Sequence, residues 1–391
     1  MKILAVNAGS SSLKVSLYDS FKKELLAKIN FERIGLDNPF YVLDFKDLKE
    51  KKEVNIKNVE EATKIILNLF IEYKIISDLK EIKGVGHRVV HGSDKYKQSV
   101  VITEEVIKDI EIYIPLAPLH NPANLLGIKV FKKVLPKVKM VAVFDTAFHQ
   151  TLPEEAYLYS VPYEWYTKYG VRKYGFHGIS HNYIAKRTEE VLQKKNLKII
   201  SCHLGNGGSI SAIKDGQCLD TTLGFTPLGG IAMGTRSGNI DPSIISYMMK
   251  QTNKSIEEVM EDLNKKSGVF GISGYSDFRD IEKGILEDDY KCKLAMKIYI
   301  NRVLAYLSYY NTLLEGTDVI VFTAGIGENS TMVREKIMRR LKLFGVIIDE
   351  TKNQVRGKEL EITKNDSKIK CYVIPTNEEL MIVSEVIDLL K

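Results

Sequence analysis

Apolar and polar positions follow the same order twice along this chain. In the first copy, KILAVNAGSSSLKVSLYD at 2–19, an apolar run ends in a small polar turn and an alternating strand returns. The second copy, KIISCHLGNGGSISAIKDG at 198–216, has the same order with a glycine-rich turn. This order is typical of a β-hairpin. Because the hairpins lie about half a chain apart, they predict two related α/β halves that face each other across a cleft.

The remaining apolar periodicity predicts helices and buried strands. Helical spacing covers 58–79, 288–314 and 378–390, and short apolar runs at 138–144, 319–322 and 370–374 are typical of buried strands. Capping patterns predict helix starts at Asp241 with Pro242, at Ser255 with Glu258, and at Thr376 with Glu379. We expect a first domain over 1–148, a second over 149–375, and a final helix over 376–391 that packs back onto the first domain.

Composition narrows the class of protein. A length of 391 residues with 44% hydrophobic and 27% charged residues predicts two globular domains. The net charge of +6 is mild and its lysines are scattered, which argues against a nucleic-acid partner but favours small anionic substrates. No apolar stretch approaches membrane-spanning length. The four cysteines have no CxxC spacing, so we expect them to be reduced and buried in a cytoplasmic protein.

Glycine-rich turns and isolated arginines indicate phosphate chemistry. Glycines at 205, 207 and 208 remove side chains from one turn, so its backbone N–H groups can close around an anion. Arg236 lies between glycines in MGTRSG, and Arg88 is bracketed by small residues in GHRVVHG. For either arginine alone, a structural ion pair is the favoured interpretation. Two such arginines with three glycine-rich turns favour a clamp for phosphoryl transfer.

The common nucleotide motifs are absent. No GxxxxGK[ST] occurs, and GNG at 205–207 and GIG at 325–327 both lack the third glycine of GxGxxG, which excludes P-loop and Rossmann sites. Gly325–Asn329 follows a buried strand, where a nucleotide contact at a helix N-terminus and a plain strand-to-helix turn are equal alternatives.

Other candidate side chains keep two interpretations each. His177 and His181 have metal-compatible spacing, but without a third ligand a zinc site is disfavoured. Asp145, at the carboxyl end of a strand, is either a cap or a catalytic carboxylate. Lys14 projects from the return strand of the first hairpin, where a solvated strand face is the alternative interpretation. A capping box with Thr376 explains Glu379. Glu378 has no such structural role and is the better candidate for binding a cation.

Eight motifs then resemble one family. They are NAGSSSLK at 7–14, HRVVHG at 87–92, FDTAFH at 144–149, YGFHG at 174–178, HLGNG at 203–207, MGTRSG at 233–238, AGIGEN at 324–329 and PTNEE at 375–379. In this order, over nearly the whole chain, they resemble acetate kinase. The resemblance implies a fold similar to actin, sugar kinases and the heat-shock ATPase domain, with two duplicated actin-like, ribonuclease H-like domains and a nucleotide cleft between them. It also implies a homodimer that phosphorylates acetate reversibly to acetyl phosphate with ATP.

Motif by motif, the resemblance implies a role for each candidate residue. Asn7 and Glu378 would lie near Mg²⁺, with Mn²⁺ as an alternative ion. The phosphates of ATP would contact Ser10, Ser12, Lys14, His203, Leu204, Gly205, Asn206 and Gly207, and the nucleoside end would contact Asp277, Phe278, Arg279, Gly325, Ile326, Gly327, Glu328 and Asn329. Arg88 would bind the acetate carboxylate, and Val90, Leu119, Phe176 and Pro227 would form the pocket for its methyl group. His177 and Arg236 would stabilise the transferring phosphoryl group, with Asp145 as the third catalytic residue.

One position departs from the family. Asn239 stands where the family usually has aspartate, which removes a charge beside Arg236 and leaves any carboxylate role there to Asp241.

Propionate kinase is the nearest alternative, since it shares these motifs and would differ in pocket volume, whereas a butyrate kinase is disfavoured. A non-catalytic ATPase of the same fold would need the hairpins but not Arg88 or His177. Acetate is already ionised at neutral pH, so we expect Asp145 to orient other groups rather than deprotonate the substrate.

Overall fold

The computed structural model describes residues 1–391. Two compact units make up the chain. The first unit comprises Met1–Gln150 with Asn377–Lys391, and the second comprises Thr151–Thr376. Each unit has its own sheet and its own helices, so the predicted α/β class with two sheets is confirmed. No helix combines the length and the apolarity that a membrane-spanning segment needs.

An eight-stranded sheet forms the first unit. Its strands are β1 (Lys2–Ala8), β2 (Ser12–Asp19), β3 (Glu24–Glu32), β4 (Phe40–Phe45), β5 (Leu48–Glu53), β6 (Ile82–Val89), β7 (Val100–Val101) and β8 (Lys139–Phe144). Its helices are α1 (Val59–Glu72), α2 (Glu104–Ile112), α3 (Asn121–Val134) and α14 (Glu378–Leu390). The strand order is β5-β4-β3-β2-β1-β6-β8-β7, in which β1, β6 and β8 are parallel.

The second unit contains a six-stranded sheet. Its strands are β9 (Lys198–Leu204), β10 (Gly208–Lys214), β11 (Gln217–Thr221), β12 (Val319–Thr323), β13 (Leu360–Glu361) and β14 (Lys370–Val373), in the order β11-β10-β9-β12-β14-β13. Its helices are α4 (Glu154–Tyr157), α5 (Tyr163–Tyr169), α6 (Gly178–Leu192), α7 (Ser243–Thr252), α8 (Ile256–Lys265), α9 (Gly268–Ser273), α10 (Phe278–Leu286), α11 (Tyr290–Leu313), α12 (Ala324–Asn329) and α13 (Thr331–Arg340).

The two sheets repeat one topology. In the first unit, β3-β2-β1 is an antiparallel meander that continues into the parallel strands β6 and β8. In the second unit, β11-β10-β9 is the corresponding meander, and it continues into the parallel strands β12 and β14. Both predicted hairpins are present, and their turns lie between the paired residues Ala8 and Leu13 and between Leu204 and Gly208. The repeated pattern in the sequence therefore corresponds to a repeated sheet.

Two glycines let the C-terminal helix approach the first sheet. A Cβ atom at Gly86 would lie 2.3 Å from a side-chain atom of Ile382, and one at Gly84 would lie 2.7 Å from Val386 and from Leu390. Contacts that short do not occur between real side chains, so a larger residue at either position would displace α14 from β6. The core of this unit combines apolar side chains of the strands, chiefly β1–β4, with others from α1 and α3.

One predicted helix end and one predicted capping box were wrong. The helix predicted over 58–79 ends at Glu72, because Lys74 adopts a left-handed φ of 53° and the N–H groups of Ile75 and Ile76 turn back to donate to the carbonyl of Phe70. The capping box predicted for Thr376 with Glu379 does not form. Asn377 is the N-cap of α14 and accepts from the N–H of Leu380.

Ion pairing and turn formation explain the remaining differences in capping. The Glu379 carboxylate binds Lys28 at 2.6 Å instead of capping its own helix. The prediction of Asp241 as N-cap was wrong by one residue, because Pro242 is the N-cap of α7 and Asp241 accepts from the N–H of Ser243. The capping box of Ser255 with Glu258 is confirmed.

Candidate active site

A buried ion pair lies at the carboxyl ends of β6 and β8 in the first unit. These strands are parallel neighbours, and Arg88 pairs with Val143 in their register, two residues before Asp145. The Arg88 Nε atom lies 3.2 Å from each carboxylate oxygen of Asp145, and Nη2 donates to Oδ2 at 2.6 Å. The Asp145 side chain is 2% exposed and that of Arg88 is 22% exposed. This geometry fixes the plane of the guanidinium and leaves Nη1 without a protein acceptor.

The surroundings of Arg88 favour its charged form, whereas those of Glu378 disfavour its ionised form. Burial lowers the pKa of Arg88, but the carboxylates of Asp145 and Glu378 outweigh it and raise that pKa above its ordinary value. Burial, followed by the repulsion of Asp145 and Glu379, raises the pKa of Glu378 above that of an ordinary carboxyl group, although Arg88 opposes the shift. The Glu378 side chain makes no hydrogen bond in the protein, and neither does that of Asn7, which is also half-buried. Both side chains offer oxygen atoms, as a hard cation requires.

Two asparagines that sequence reasoning did not single out hold the ends of β1 and β6. The Asn124 side chain accepts from the N–H of Val90 at 3.1 Å and donates to the carbonyl of Ala8 at 2.8 Å. Asn121 exchanges two hydrogen bonds of 3.1 Å with the backbone of His91. Both asparagines are buried in the first turn of α3, three residues apart and thus on one helix face. The HNPAN spacing at 120–124 was the available signal.

A serine–histidine network lies at the start of α6 in the second unit. His177 precedes the helix with a left-handed φ of 58°, and its Nδ1 lies 2.9 Å from Ser209 Oγ. The same hydroxyl lies 2.7 Å from Nε2 of His181, whose Nδ1 lies 2.9 Å from Ser201. The His177 ring also stacks on His203 with 4.2 Å between centroids. The network fixes the orientation of the His177 ring, while its buried member His181 is held by serines.

The glycine turn brings Arg236 and His177 together. A Cβ atom at Gly207 would lie 3.4 Å from Nη1 of Arg236 and 3.8 Å from the His177 ring. Arg236 donates to the carbonyl of Pro227 at 3.2 Å and forms no ion pair. Burial lowers the pKa of Arg236 because no carboxylate offsets the lost hydration. A half-buried guanidinium without a counter-charge, beside backbone that carries no side chain, is a site suited to an anion.

A cavity of about 550 Å³ opens in the same unit. We call it the Asn206 cavity, and its lining residues are Asn206, Ser276, Asp277, Phe278, Arg279, Glu282, Gly325, Ile326, Asn329, Ser330 and Arg356. It therefore brings together both segments that were predicted to hold a nucleoside, and its volume suits a small organic ligand. Asp277 caps α10 and binds the Arg279 guanidinium at 2.6 Å, and the buried Phe278 ring packs against Tyr299.

Two residues of the α12 motif do not line this cavity. The Glu328 carboxylate turns away and accepts from the N–H of Thr376 at 3.1 Å. The Gly327 carbonyl accepts from Arg334, a fully buried arginine that also donates to Asn353 and Val355. Burial lowers the pKa of Arg334 to about 10. These contacts hold α12 in place, and the predicted nucleotide contacts of Gly327 and Glu328 stay predictions.

Several predicted contact residues differ in exposure. Val90 and Phe176 are buried, whereas the Leu119 side chain is 76% exposed. Lys14 is exposed on β2 and forms no ion pair. Leu204 is fully buried, which leaves only its backbone for a ligand. Within the first hairpin turn, the N–H of Gly9 donates to the carbonyl of Ser12 at 2.8 Å.

Comparison with known proteins identifies the lineage. The model of the acetokinase family matches residues 2–384. The chain belongs to the acetokinase family. A protein named acetate kinase from Geobacillus sp. (strain WCH70) is 52% identical to it over 391 residues, which cover 99% of this chain and 98% of that protein. The resemblance inferred from the motifs is thus confirmed.

Solved structures of the acetokinase family match from end to end. The crystal structure of Porphyromonas gingivalis acetate kinase aligns with a TM-score of 0.96 at 44% identity and covers 100% of both chains. A propionate kinase from Francisella tularensis subsp. tularensis SCHU S4 aligns with a TM-score of 0.94 at 39% identity and covers 99% of both chains. These matches support the fold class inferred for the acetokinase chain.

The asparagine that departs from the family pattern closes the loop that carries Arg236. Asn239 Oδ1 accepts from the N–H of Gly230 at 2.8 Å, and the backbone N–H of Asn239 donates to the Gly230 carbonyl at 2.9 Å. Its Nδ2 donates to the Tyr306 hydroxyl at 2.8 Å. Both ends of the amide are used, so Asn239 is a positioning residue for the 230–239 loop of this acetokinase.

Proposed function

We propose that this chain is an acetate kinase, which transfers the γ-phosphoryl group of ATP to acetate and forms acetyl phosphate and ADP reversibly. Its end-to-end similarity to proteins named acetate kinase supports the reaction. The observation that carries the proposal is the un-neutralised Arg236 beside His177 and Gly207, in the unit that holds the Asn206 cavity. Such a group is expected where negative charge accumulates during phosphoryl transfer.

The acceptor side of the reaction is assigned to Arg88. Its Nη1 is left to bind a carboxylate, because Nε and Nη2 are both committed to Asp145. Acetate is ionised at neutral pH, so its oxygen attacks the γ-phosphorus without prior removal of a proton. Asp145 is therefore a positioning residue that aims the guanidinium. The methyl group of acetate is assigned to Val90, Leu119, Phe176 and Pro227.

The donor side is assigned to the second unit. Adenosine would occupy the Asn206 cavity, and the phosphates would contact the 203–207 turn. Arg236 and His177 would stabilise the equatorial oxygens while the bond from the γ-phosphorus to the ADP oxygen breaks. Asn7 and Glu378 fit Mg²⁺, because both are half-buried oxygen donors without a protein partner. The ion would supply neutralisation of phosphate charge.

A carboxylate-dependent assay tests the reaction. With Mg²⁺ and ATP, we expect ADP release to require acetate and a hydroxylamine trap to recover acetyl groups in the same amount as ADP. The control is ATP alone, which should give little ADP. ATP turnover that is indifferent to every short carboxylate would instead identify a non-kinase ATPase of this fold.

Propionate kinase is the second candidate, and the Francisella structure is the observation that favours it. Discrimination rests on the depth of the pocket assigned to Val90 and Pro227. One added methylene is worth only about 1–3 kcal/mol, so activity on both acids is expected, with acetate preferred. Measuring kcat/KM for acetate, propionate and butyrate separates the two. A higher value for propionate would reassign the physiological substrate without changing the chemistry.

The enzyme is further proposed to be a cytoplasmic homodimer. All four cysteines are free, which suits a reducing compartment. Helix α7 buries none of its residues and exposes Ile244, Tyr247 and Met248, which gives an apolar face for a second copy. Light scattering of the purified protein measures the mass directly. A Tyr247→Glu variant should shift a dimer toward monomer, whereas Tyr169→Glu, also on an exposed tyrosine, should not.

A further inference from the structure

A second cavity lies beside the helices that border the Asn206 cavity. It measures about 570 Å³ and shares no lining residue with the first. We call it the α11–α13 cavity, and its lining residues are Ile285, Lys293, Met296, Lys297, Ile300, Asn301, Lys336, Arg339 and Arg340. Those on α11 follow i, i+3, i+4, i+7 and i+8 spacing, and those on α13 follow i, i+3 and i+4 spacing. One stripe of each helix therefore forms the walls.

The walls carry positive charge and no lining carboxylate. Lys293 binds Asp288, and Arg339 binds Glu335 at 2.8 Å and Glu350 at 2.5 Å. The other three cations, Lys297, Lys336 and Arg340, have no ion-pair partner. Concave walls with one sign of charge concentrate counter-ions. Cations on facing helices also repel each other until an anion lies between them, so an anionic ligand would remove an unfavourable interaction.

The floor of the α11–α13 cavity is apolar. Met296 is 2% exposed and Ile300 is 5% exposed, and the half-buried Ile285 closes the end near α10. A bare inorganic ion would leave this apolar surface in contact with water. A ligand with both an anionic group and an apolar body would satisfy the rim and the floor together.

We infer that the α11–α13 cavity binds a small organic anion that joins an aromatic or aliphatic body to a phosphate, sulfonate or carboxylate group. The site is separate from the proposed reaction, because none of its residues has a role in phosphoryl transfer. The inference therefore stands or falls independently of the acetate kinase proposal.

Fluorescence of 8-anilino-1-naphthalenesulfonate tests the site, since this probe has an aromatic body and one anionic group. The full-length protein is titrated in saturating Mg²⁺ and ADP, so that the Asn206 cavity is occupied. We expect saturable binding, and Lys297→Glu with Lys336→Glu should weaken it by about tenfold or more because the rim charge is reversed. Both lysines are exposed, and an unchanged melting temperature would show that the double variant folds.

The matched control is Lys194→Glu with Lys364→Glu, which makes the same change of charge at exposed lysines elsewhere in the unit. The control should bind the probe as the wild type does. Equal loss in both variants would show an effect of net charge alone, and no loss in the Lys297 and Lys336 variant would place the probe elsewhere. Either result overturns the inference. Displacement of the probe by inorganic phosphate as readily as by benzoate would overturn the role of the apolar floor.

Discussion

The guanidinium of Arg88 donates to both carboxylate oxygens of Asp145, with Nη2 2.6 Å from Oδ2. Because the Asp145 side chain is 2% exposed, water cannot replace the guanidinium if Arg88 is removed. The pair joins neighbouring parallel strands, and the N–H of Asp145 donates to the carbonyl of Val89 at 3.0 Å. The direction of Arg88 is therefore determined by the sheet itself.

Replacing Asp145 with asparagine should impair use of acetate while sparing the nucleotide. Loss of one member of a buried charge pair typically costs 2–5 kcal/mol, so kcat/KM for acetate should fall by about 100-fold. The KM for ATP should stay unchanged. Asp19→Asn, which breaks the more exposed pair with Lys2, is the control and should retain activity. Near-normal kcat in Asp145→Asn at saturating Mg²⁺ and substrates would refute any essential role of Asp145.

Arg236 and Arg334 should separate catalysis from stability. Arg236→Ala removes a cation with one hydrogen bond and no counter-charge, so kcat should fall about 100-fold or more while the melting temperature holds or rises. Arg334→Ala leaves three backbone carbonyls and Asn353 without a donor, and should lower the free energy of unfolding by about 3 kcal/mol or more. Thermal denaturation with steady-state kinetics measures both. Equal loss of stability in the two variants would contradict a functional role for Arg236.

Adjacent glutamates should affect stability in opposite directions. Burial raises the pKa of Glu378, so the folded state holds a proton more tightly than the unfolded state does. Its contribution is present below the unfolded pKa and is lost as the pH rises through the folded pKa. Without Mg²⁺, Glu378→Gln should therefore raise the melting temperature at neutral pH, and the difference should vanish near about pH 4.

Glu379 is the matched control. Burial acts to raise its pKa, but the hydrogen bond from Lys28 outweighs burial and lowers it. Its contribution is present above the unfolded pKa and is lost as the pH falls, so Glu379→Gln should lower the melting temperature at neutral pH. Adding Mg²⁺ should stabilise the wild type but not Glu378→Gln. Destabilisation by both substitutions at neutral pH would contradict this account.

Asn239 should tolerate aspartate but not alanine. A carboxylate at 239 still accepts from the N–H of Gly230, whereas alanine leaves that donor unpaired at a cost of about 1–3 kcal/mol. In the wild type Tyr306 accepts from Asn239, but beside aspartate its hydroxyl must donate to a charge. Tyr306→Phe should therefore destabilise the Asn239→Asp variant more than the wild type. A double-mutant cycle measured by denaturant unfolding compares the loss of unfolding free energy caused by Tyr306→Phe in the two backgrounds. Equal losses would contradict this prediction.

Local patterns predicted much of the fold. The helix over Glu378–Leu390 and the hairpins were identified correctly because apolar period and turn chemistry agreed in those segments. Contacts distant in sequence were not predictable. Glu379 binds Lys28, 351 positions away, in preference to its own helix end. Asn124 reaches Ala8 across 116 positions, and no local pattern reports such a partner. The site was predicted as residue types, whereas their orientation depends on these long-range bonds.

One hydrogen bond connects the two helices that border both cavities of the second unit. The Ser330 hydroxyl, at the start of α13, donates to Glu282 on α10. Each of these helices also lines the α11–α13 cavity, α10 through Ile285 and α13 through Lys336. A ligand in one cavity that shifts this pair of helices changes the affinity of the second cavity for its own ligand. Thermodynamic linkage requires that each ligand change the affinity for the other by the same factor. The affinity of the α11–α13 cavity for an organic anion would then report how much nucleotide is bound, although the anion and the nucleotide make no contact.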